Sequence, residues 1–434
     1  MATIAIAPFH WAADLNSAFG LARKLERRGH RIVFLSVPDA GERIRSQGFE
    51  SREIFPEVYP PGAVERQNLA EAQGRFGESG GFDERLAAMC GLLADGALNR
   101  LVETVRPDLF LVSSWTPWTA IATRRTGIPI VSFSSTLISV PDPIVPPFSS
   151  GLVPGSSALF KLKTAWAWQR LLFGRRFLGE GIDTRRELRA LARACGYPPE
   201  RIDFRVETWP RLDFPELVLC PRQFDLPRAR PPANATFVEA SVDLDRVDPA
   251  FPWERLDSAR PLVYCSPGSV LTVKLRPETD RFLQAFLDAA AARPAWQIVA
   301  TAGRYSNPSD FRVPPNAILV DVAPQIELLK RAALHVTHAG LTSIKESISL
   351  GVPMIALPRF YDQRGNAARI VYHGLGLVAG WKTVTAGELG GLMDRVMTEP
   401  GFAERTRRMS REFVAQETAS RAVEMIERFA ARDV

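Results

Sequence analysis

A chain of 434 residues is longer than one hydrophobic core usually serves, and 46% apolar with 24% charged residues is the balance of a soluble globular protein, not of a disordered or fibrous one. The net charge of +6 falls entirely between Gly155 and Cys195, where nine Lys and Arg outweigh three acids, and no nucleic-acid recognition motif accompanies it. The scattered Cys90, Cys195, Cys220 and Cys265 have no paired spacing, which argues against a disulfide framework or a cysteine zinc site and fits a reducing, cytoplasmic compartment.

The chain opens on "MATIAIAPFH", which lacks the basic lead and cleavage site of a signal peptide and reads as a first strand. No apolar stretch reaches the roughly 18 residues of a membrane span. "NSAFGLARKLERRGH" follows as a helix with Leu15, Phe19, Ala22 and Leu25 on one stripe, stopped by Gly29, and "RIVFLSV" is the next strand. "LNRLVETVRPDLFLVSS" and "TAIATRRTGIPIVSFSS" repeat the sequence of helix, turn and buried strand, so the sheet is predicted to be parallel. Residues 140–210 are Pro-rich, then basic and helical, and read as an insertion that shapes a pocket. Within it "ALFKLKTAWAWQRLLFGRRFL" interleaves Phe160, Trp166, Trp168, Phe173 and Phe177 with basic residues. That pattern fits a core-packing helix with a basic outer face, or an interfacial surface for an anionic membrane or a greasy substrate.

"ELVLC" resumes a strand, and the Pro- and Arg-rich "DLPRARPPANAT" (225–236) marks the joint between two halves. "PLVYCSPGSV", "TDRFLQAFLDAAAA", "WQIVATAG", "AILVDVAPQIELLKRA" and "TAGELGGLMDRVM" form a fresh α/β series, closed by the helix "SRAVEMIERFAARDV". The predicted architecture is α/β: two doubly wound domains across a cleft, 1–230 and 231–415, with 416–434 packing back on the first.

In "VTHAGLTSIKESISLGVPMIALPRFYDQ" (336–363), two apolar runs each end in a polar cluster and are joined by a helix that begins at a glycine. Open α/β sheets bind ligands outside the carboxyl ends of their strands. A helix N-terminus at Gly340, with Leu341, Thr342 and Ser343, offers N–H and hydroxyl donors to a phosphate, and His338 is a further donor. Glu346, one turn on, could accept a ribose, and Asp362 and Gln363 could grip a polyol. Together these spell a nucleotide sugar. Ser343-x-x-Glu346 also matches a capping box, and a histidine at position 338 also suits a structural role.

"APQIELL" (323–329), "VTHAGLTSIKE" and "GVPMIALPRFYDQRGNAARI" together resemble the donor-binding signature of the inverting UDP-glycosyltransferase family, including bacterial antibiotic, sterol and carotenoid glucosyltransferases. The resemblance implies a GT-B fold, with the nucleotide sugar in the C-terminal domain and the acceptor in the N-terminal one. It implies that His338 and Gly340 to Ser343 hold the diphosphate, with Gly268 and Ser269 approaching from another strand end. Gln325 and Glu346 take the ribose, Asp362 and Gln363 the sugar, and the Ala323 backbone the base. Val322 stands where many relatives carry an aromatic that stacks on the base, which leaves UDP and dTDP both open. The family's usual catalytic histidine aligns with Asp14, as in antibiotic and sterol relatives, while the aspartate that orients that histidine in plant members falls at about Ser113.

Asp14 is therefore the predicted base, with Asn16 able to cap the helix in its place and His10 as the reserve candidate. Phe9, Trp115 and Trp118 are candidate acceptor contacts. The expected reaction is inverting transfer of a hexose, glucose by expectation, from UDP-glucose or a dTDP-sugar to a hydroxyl of an apolar small molecule such as a natural product, lipid, sterol or carotenoid. No cofactor, obligatory metal or nucleic-acid partner is expected, and residues 155–195 are expected as a peripheral contact with the inner face of a membrane. A nucleotide-sugar epimerase or a catalytically inactive nucleotide-sugar-binding protein on the same fold is the alternative. "PFHWAADLN" has none of the glycines that the phosphate turn of a dinucleotide oxidoreductase requires, which argues against that class.

Overall fold

Apolar runs of four to six residues, buried on both faces, alternate with amphipathic helices along most of the chain, and this pattern produces two parallel sheets. The computed structural model describes residues 1–73, 81–155, 157–177, 183–268 and 276–431. The first sheet contains β1 (Thr3–Ala7), β2 (Arg31–Ser36), β3 (Glu50–Glu53), β4 (Leu109–Ser113), β5 (Ile130–Ser134), β6 (Glu216–Val218) and β7 (Ala235–Phe237), in the order β3-β2-β1-β4-β5-β6-β7. The second contains β8 (Leu262–Ser266), β9 (Gln297–Thr301), β10 (Ala317–Val320), β11 (Ala332–Thr337), β12 (Met354–Ala356) and β13 (Gly376–Val378), in the order β10-β9-β8-β11-β12-β13. Each order reverses once, between β1 and β4 and between β8 and β11. These reversals are where a doubly wound sheet opens a crevice for a ligand.

Two expectations on element bounds change. β7 pairs with β6 at the edge of the first sheet, so that sheet draws on chain beyond residue 230. The first helix spans Ala12–Arg27, four residues earlier than "NSAFG" suggests. Trp11 occupies its N-cap position without a side-chain bond, and its carbonyl accepts from the N–H groups of Asp14 and Leu15. Asn16 is therefore no cap, and its Oδ1 instead accepts from Arg43 at 2.8 Å.

The domains are clamped together by buried polar contacts. Lys345 of the Leu341–Ser349 helix donates to the carbonyls of Leu219 and Ala240, both at 2.8 Å, and burial holds its pKa below the usual lysine value. Arg369 pairs with Asp225 at 2.6 Å, and Arg23 with Asp243 at 3.0 Å. The final Arg421–Ala430 helix sends Ala422, Val423 and Ile426 into the core of the first domain, while Arg28 and His30 both reach Glu427.

Candidate active site

The site lies where the two sheets present the carboxyl ends of their strands to each other. On the C-terminal side, β8 leads into Gly268 and β11 into His338. A Cβ on Gly268 or Gly340 would collide with the His338 imidazole, so both positions need glycine if the ring is to lie between them. Burial lowers the His338 pKa to about 4, so the ring is neutral at pH 7. Gly340 is the N-cap of the Leu341–Ser349 helix. The Leu341 side chain is buried in the core, so only its backbone N–H is available to a ligand. Ser269 lies outside the described residues.

Glu346 does not form a capping box. Ser343 sits inside the helix rather than at its cap, and the Glu346 carboxylate is turned sideways onto Arg246, at 2.9 Å, and the Gln325 amide. Gln325 in turn accepts from the Tyr264 hydroxyl at 3.3 Å and donates to Ser343 Oγ at 3.3 Å. Arg246 also holds Asp248 at 3.1 Å. Burial opposes its charge, but the two carboxylates raise its pKa above the usual arginine value. The sequence reading missed Arg246, Asp248 and Tyr264; Arg246 and Asp248 lie just past the joint, where no periodicity marks them. Two bonds leave further lone pairs on Glu346, because a carboxylate offers about four acceptor sites.

Asp362 caps the Gln363–Tyr372 helix without a side-chain cap bond, and burial raises its carboxyl to about 6. Asn366 donates to Asp362 Oδ2 at 2.9 Å and to the Ala339 carbonyl at 3.1 Å, tying the β11 and β12 loops together. Gln363 Oε1 accepts from the N–H groups of Arg359 and Phe360, leaving its amide N–H₂ as the group to offer a ligand. Ala339 (φ 65°) and Tyr361 (φ 53°) hold left-handed backbone without being glycine, and such strain concentrates at functional sites. Ala323 is nearly buried and Val322 is 45% exposed at the end of β10.

On the N-terminal side, Asp14 lies in the first helical turn with 3% of its surface exposed. Its Oδ2 accepts from the Phe9 N–H at 2.7 Å and its Oδ1 from Ser135 Oγ at 2.5 Å. Burial raises its carboxyl to about 6, against the lowering effect of Ser135, Phe9, Ser113 and the more distant Lys345. Ser113, at the end of β4, thus faces the carboxylate. Burial, with help from the Arg85 charge, lowers His10 to about 4, so its imidazole is neutral but a much weaker base than Asp14. Next to Asp14 the two sides meet where Thr342 Oγ1 donates to the Ala13 carbonyl at 3.2 Å.

Beside Asp14 an aromatic cluster joins Phe9, Trp11, Trp115 and Tyr361, with Trp11 5.5 Å from Trp115 and 5.6 Å from Tyr361. A narrow crevice opens behind it, lined by Trp115, Trp209, Leu137 and Ile138, by the hydroxyls of Ser113, Ser114, Ser132, Ser134, Thr136, Ser139 and Thr208, and by the Arg211–Glu216 pair. Trp118 does not line the cavity. Its ring is buried in the core, packed at 5.5 Å on Trp209. Trp11, Trp209 and Tyr361 were missed because they sit in three separate loops with no shared spacing. Among the described residues, no group of three His, Cys, Asp or Glu side chains could hold a metal ion.

Two parallel doubly wound sheets, facing each other through their strand ends, define the GT-B class of glycosyltransferases. The solved glycosyltransferase of kitacinnamycin superposes with a TM-score of 0.71 over 99% of this chain and 98% of its own, at 24% identity. The glycosyltransferase VinC in complex with dTDP superposes at 0.67 over 99% and 100%, at 19% identity. Residues 233–427 match the family described as UDP-glucoronosyl and UDP-glucosyl transferase, and the chain is a glycosyltransferase. Over its full length it is similar to the oleandomycin glycosyltransferase of Streptomyces antibioticus, 26% identical across 97% of this chain and 90% of that protein.

Proposed function

We propose that this protein transfers a hexose from a UDP- or dTDP-sugar, with inversion, to a hydroxyl of an amphipathic small molecule that carries aromatic or other flat apolar surface. The observation that carries the reading is the position of Asp14: a buried carboxyl at about 6, one residue from the contact between the donor helix and the acceptor domain. A base works best with a pKa near the operating pH, and at pH 7 this group is mostly ionised yet far more basic than an exposed aspartate.

In this reading the acceptor hydroxyl lies against Asp14, and its oxygen attacks the anomeric carbon opposite the diphosphate as the carboxylate takes its proton. Single displacement inverts the centre. The leaving diphosphate gains negative charge at the Leu341–Ser343 N–H groups and at His338, whose pKa the adjacent anion raises towards the imidazolium form. Glu346, set by Arg246 and Gln325, accepts from the ribose, while Asp362 and Gln363 take the sugar hydroxyls. The hydroxyl-lined cavity beside Trp115 favours an acceptor with polar groups of its own over a plain hydrocarbon such as a carotene. The relative named for the antibiotic oleandomycin and the neighbour solved with dTDP support a natural-product acceptor and leave dTDP as a donor.

The test is incubation with α-linked UDP-glucose and dTDP-glucose and a panel of hydroxylated aromatic and macrocyclic acceptors. Products are read by a hexose mass increase and by the anomeric proton coupling. A β-linked product is expected. An α-linked product would overturn the mechanism, and donor hydrolysis or epimerisation without transfer would overturn the acceptor reading.

A further inference from the structure

The Ala158–Phe177 helix is apolar on two opposite faces, and the protein covers only one. Phe160, Thr164 and Trp168 are buried, and Trp168 Nε1 donates to the Val145 carbonyl at 2.9 Å. Leu159, Leu162, Trp166, Phe173 and Phe177 recur at helical spacing along the other face and are 55% to 69% exposed. Scattered exposed apolar residues are ordinary, but a continuous stripe of this kind marks an interaction surface. Lys163, Arg170 and Arg176 are exposed beside it, with Arg170 lying over the Trp166 ring. Next to the helix, Arg185, Arg189, Arg201 and Arg205 line an open groove with Glu200, Asp203, Phe173 and Phe177, and three of these arginines pair with Asp183, Asp213 and Asp203.

We propose that this face docks on the surface of an anionic lipid bilayer, with the Leu, Trp and Phe side chains in the acyl boundary and the basic groups at the headgroups. Charge complementarity carries the choice of partner, since the segment holds the whole net charge of the chain and the sign is positive. The stripe is convex and narrow. A bilayer accepts such a face without shape complementarity, whereas a protein partner needs a matching groove. The contact is peripheral, because no helix among the described residues is long and apolar enough to cross a membrane.

The docking helix is not loosely attached. Arg175 turns inward and donates to the carbonyls of Val206 (2.6 Å) and Glu207 (2.8 Å), in the segment that continues into Thr208 and Trp209 of the cavity wall. The bilayer face and the acceptor cavity are thereby held on one unit. That consequence rests on the acceptor reading; the docking itself does not.

The experiment is co-sedimentation of the full chain with vesicles of phosphatidylcholine alone or mixed with phosphatidylglycerol. Two variants are compared with the parent: Leu162→Ser/Trp166→Ser/Phe173→Ser, and Lys163→Glu/Arg170→Glu/Arg176→Glu. The parent is expected to partition onto the anionic vesicles and weakly onto the neutral ones. Each exposed basic group near such a surface is worth about fivefold, so the charge variant should lose at least about tenfold, and the apolar variant a similar amount. Both should keep the parent's melting temperature and nucleotide-sugar affinity, which separates loss of docking from loss of fold or of donor site. Absence of the parent from the vesicle pellet, or retention of the apolar variant in it, would overturn the proposal. So would a parent that is dimeric by sedimentation equilibrium and becomes monomeric in the apolar variant, because the stripe would then be an interface between copies.

Discussion

The two halves of the cleft use the same sheet topology to opposite ends. On the donor side, strand-end loops carry charged and amide groups already paired with one another: Glu346 with Arg246 and Gln325, and Asp362 with Asn366. On the N-terminal side the buried Asp14 carboxyl accepts from the Phe9 N–H and the Ser135 hydroxyl, beside the rings of Phe9, Trp11 and Trp115. A diphosphate sugar presents the same charges and hydroxyls at every turnover, so its groups can be set in advance, at the cost of burying several charges together. An acceptor differs in shape more than in charge, and a wall of aromatics and rotatable hydroxyls tolerates that difference. Burial, which outweighs the hydrogen bonds it accepts, keeps the Asp14 carboxyl basic.

The comparison breaks most sharply at Asp14. Asp14→Asn keeps the size and an acceptor oxygen but removes the basicity, and turnover is expected to fall about 10²–10⁴-fold with donor affinity intact. Stability should move the other way. The folded carboxyl titrates near 6 against 3.8 unfolded, so the contribution of this group is full below pH 3.8 and lost as pH rises through 6. Asn escapes that loss, and the variant is expected to be more stable than the parent by roughly 1–3 kcal/mol at pH 8, with the gain vanishing in acid. Thermal melts across that range check the sign.

Next in size is Glu346→Gln, chosen because removal of the whole side chain would leave Arg246 short of a partner. Loss of the charge facing a ribose is expected to weaken nucleotide-sugar binding by about tenfold to a hundredfold, the worth of a hydrogen bond to a charged group. Calorimetry with the nucleotide sugar checks it. A variant that melts early but binds the donor normally would reduce Glu346 to a structural partner of Arg246. The smallest effect belongs to Thr342→Val, which removes the bond to the Ala13 carbonyl. A change of about 0.5–1.5 kcal/mol is expected, read as a severalfold rise in the donor KM with the pH profile unmoved.

The same contrast decides what could be read from the sequence. His338, Gly340, Glu346, Asp362 and Gln363 fall within 28 residues, at spacings set by one strand–helix–strand unit, and the local pattern carries their placement. Most strands and the helices Ala12–Arg27, Arg276–Ala291 and Ala386–Thr398 were legible for the same reason, whereas β3 and the helices Phe82–Ala94 and Pro400–Ala419 were not read. The aromatic wall beside Asp14 draws Phe9, Trp115, Trp209 and Tyr361 from separate loops that only the tertiary fold brings together, and Trp118, three residues after Trp115, proves to be core. Arg246 and Lys345 were invisible because a buried charge looks in sequence like any surface charge; its distant partners, Glu346 for Arg246 and the Ala240 carbonyl for Lys345, reveal it.

The central claim is that Asp14, not His10, accepts the proton. The most direct test is the pH dependence of kcat/KM for the acceptor at saturating donor, measured for the parent, Asp14→Asn and His10→Ala. The parent and His10→Ala should both rise with pH to a plateau, half-maximal near 6, as the raised Asp14 carboxyl ionises. Asp14→Asn should be slow and lack that limb. A half-maximum near 4, kept in Asp14→Asn and abolished in His10→Ala, would assign the base to His10 and contradict the account.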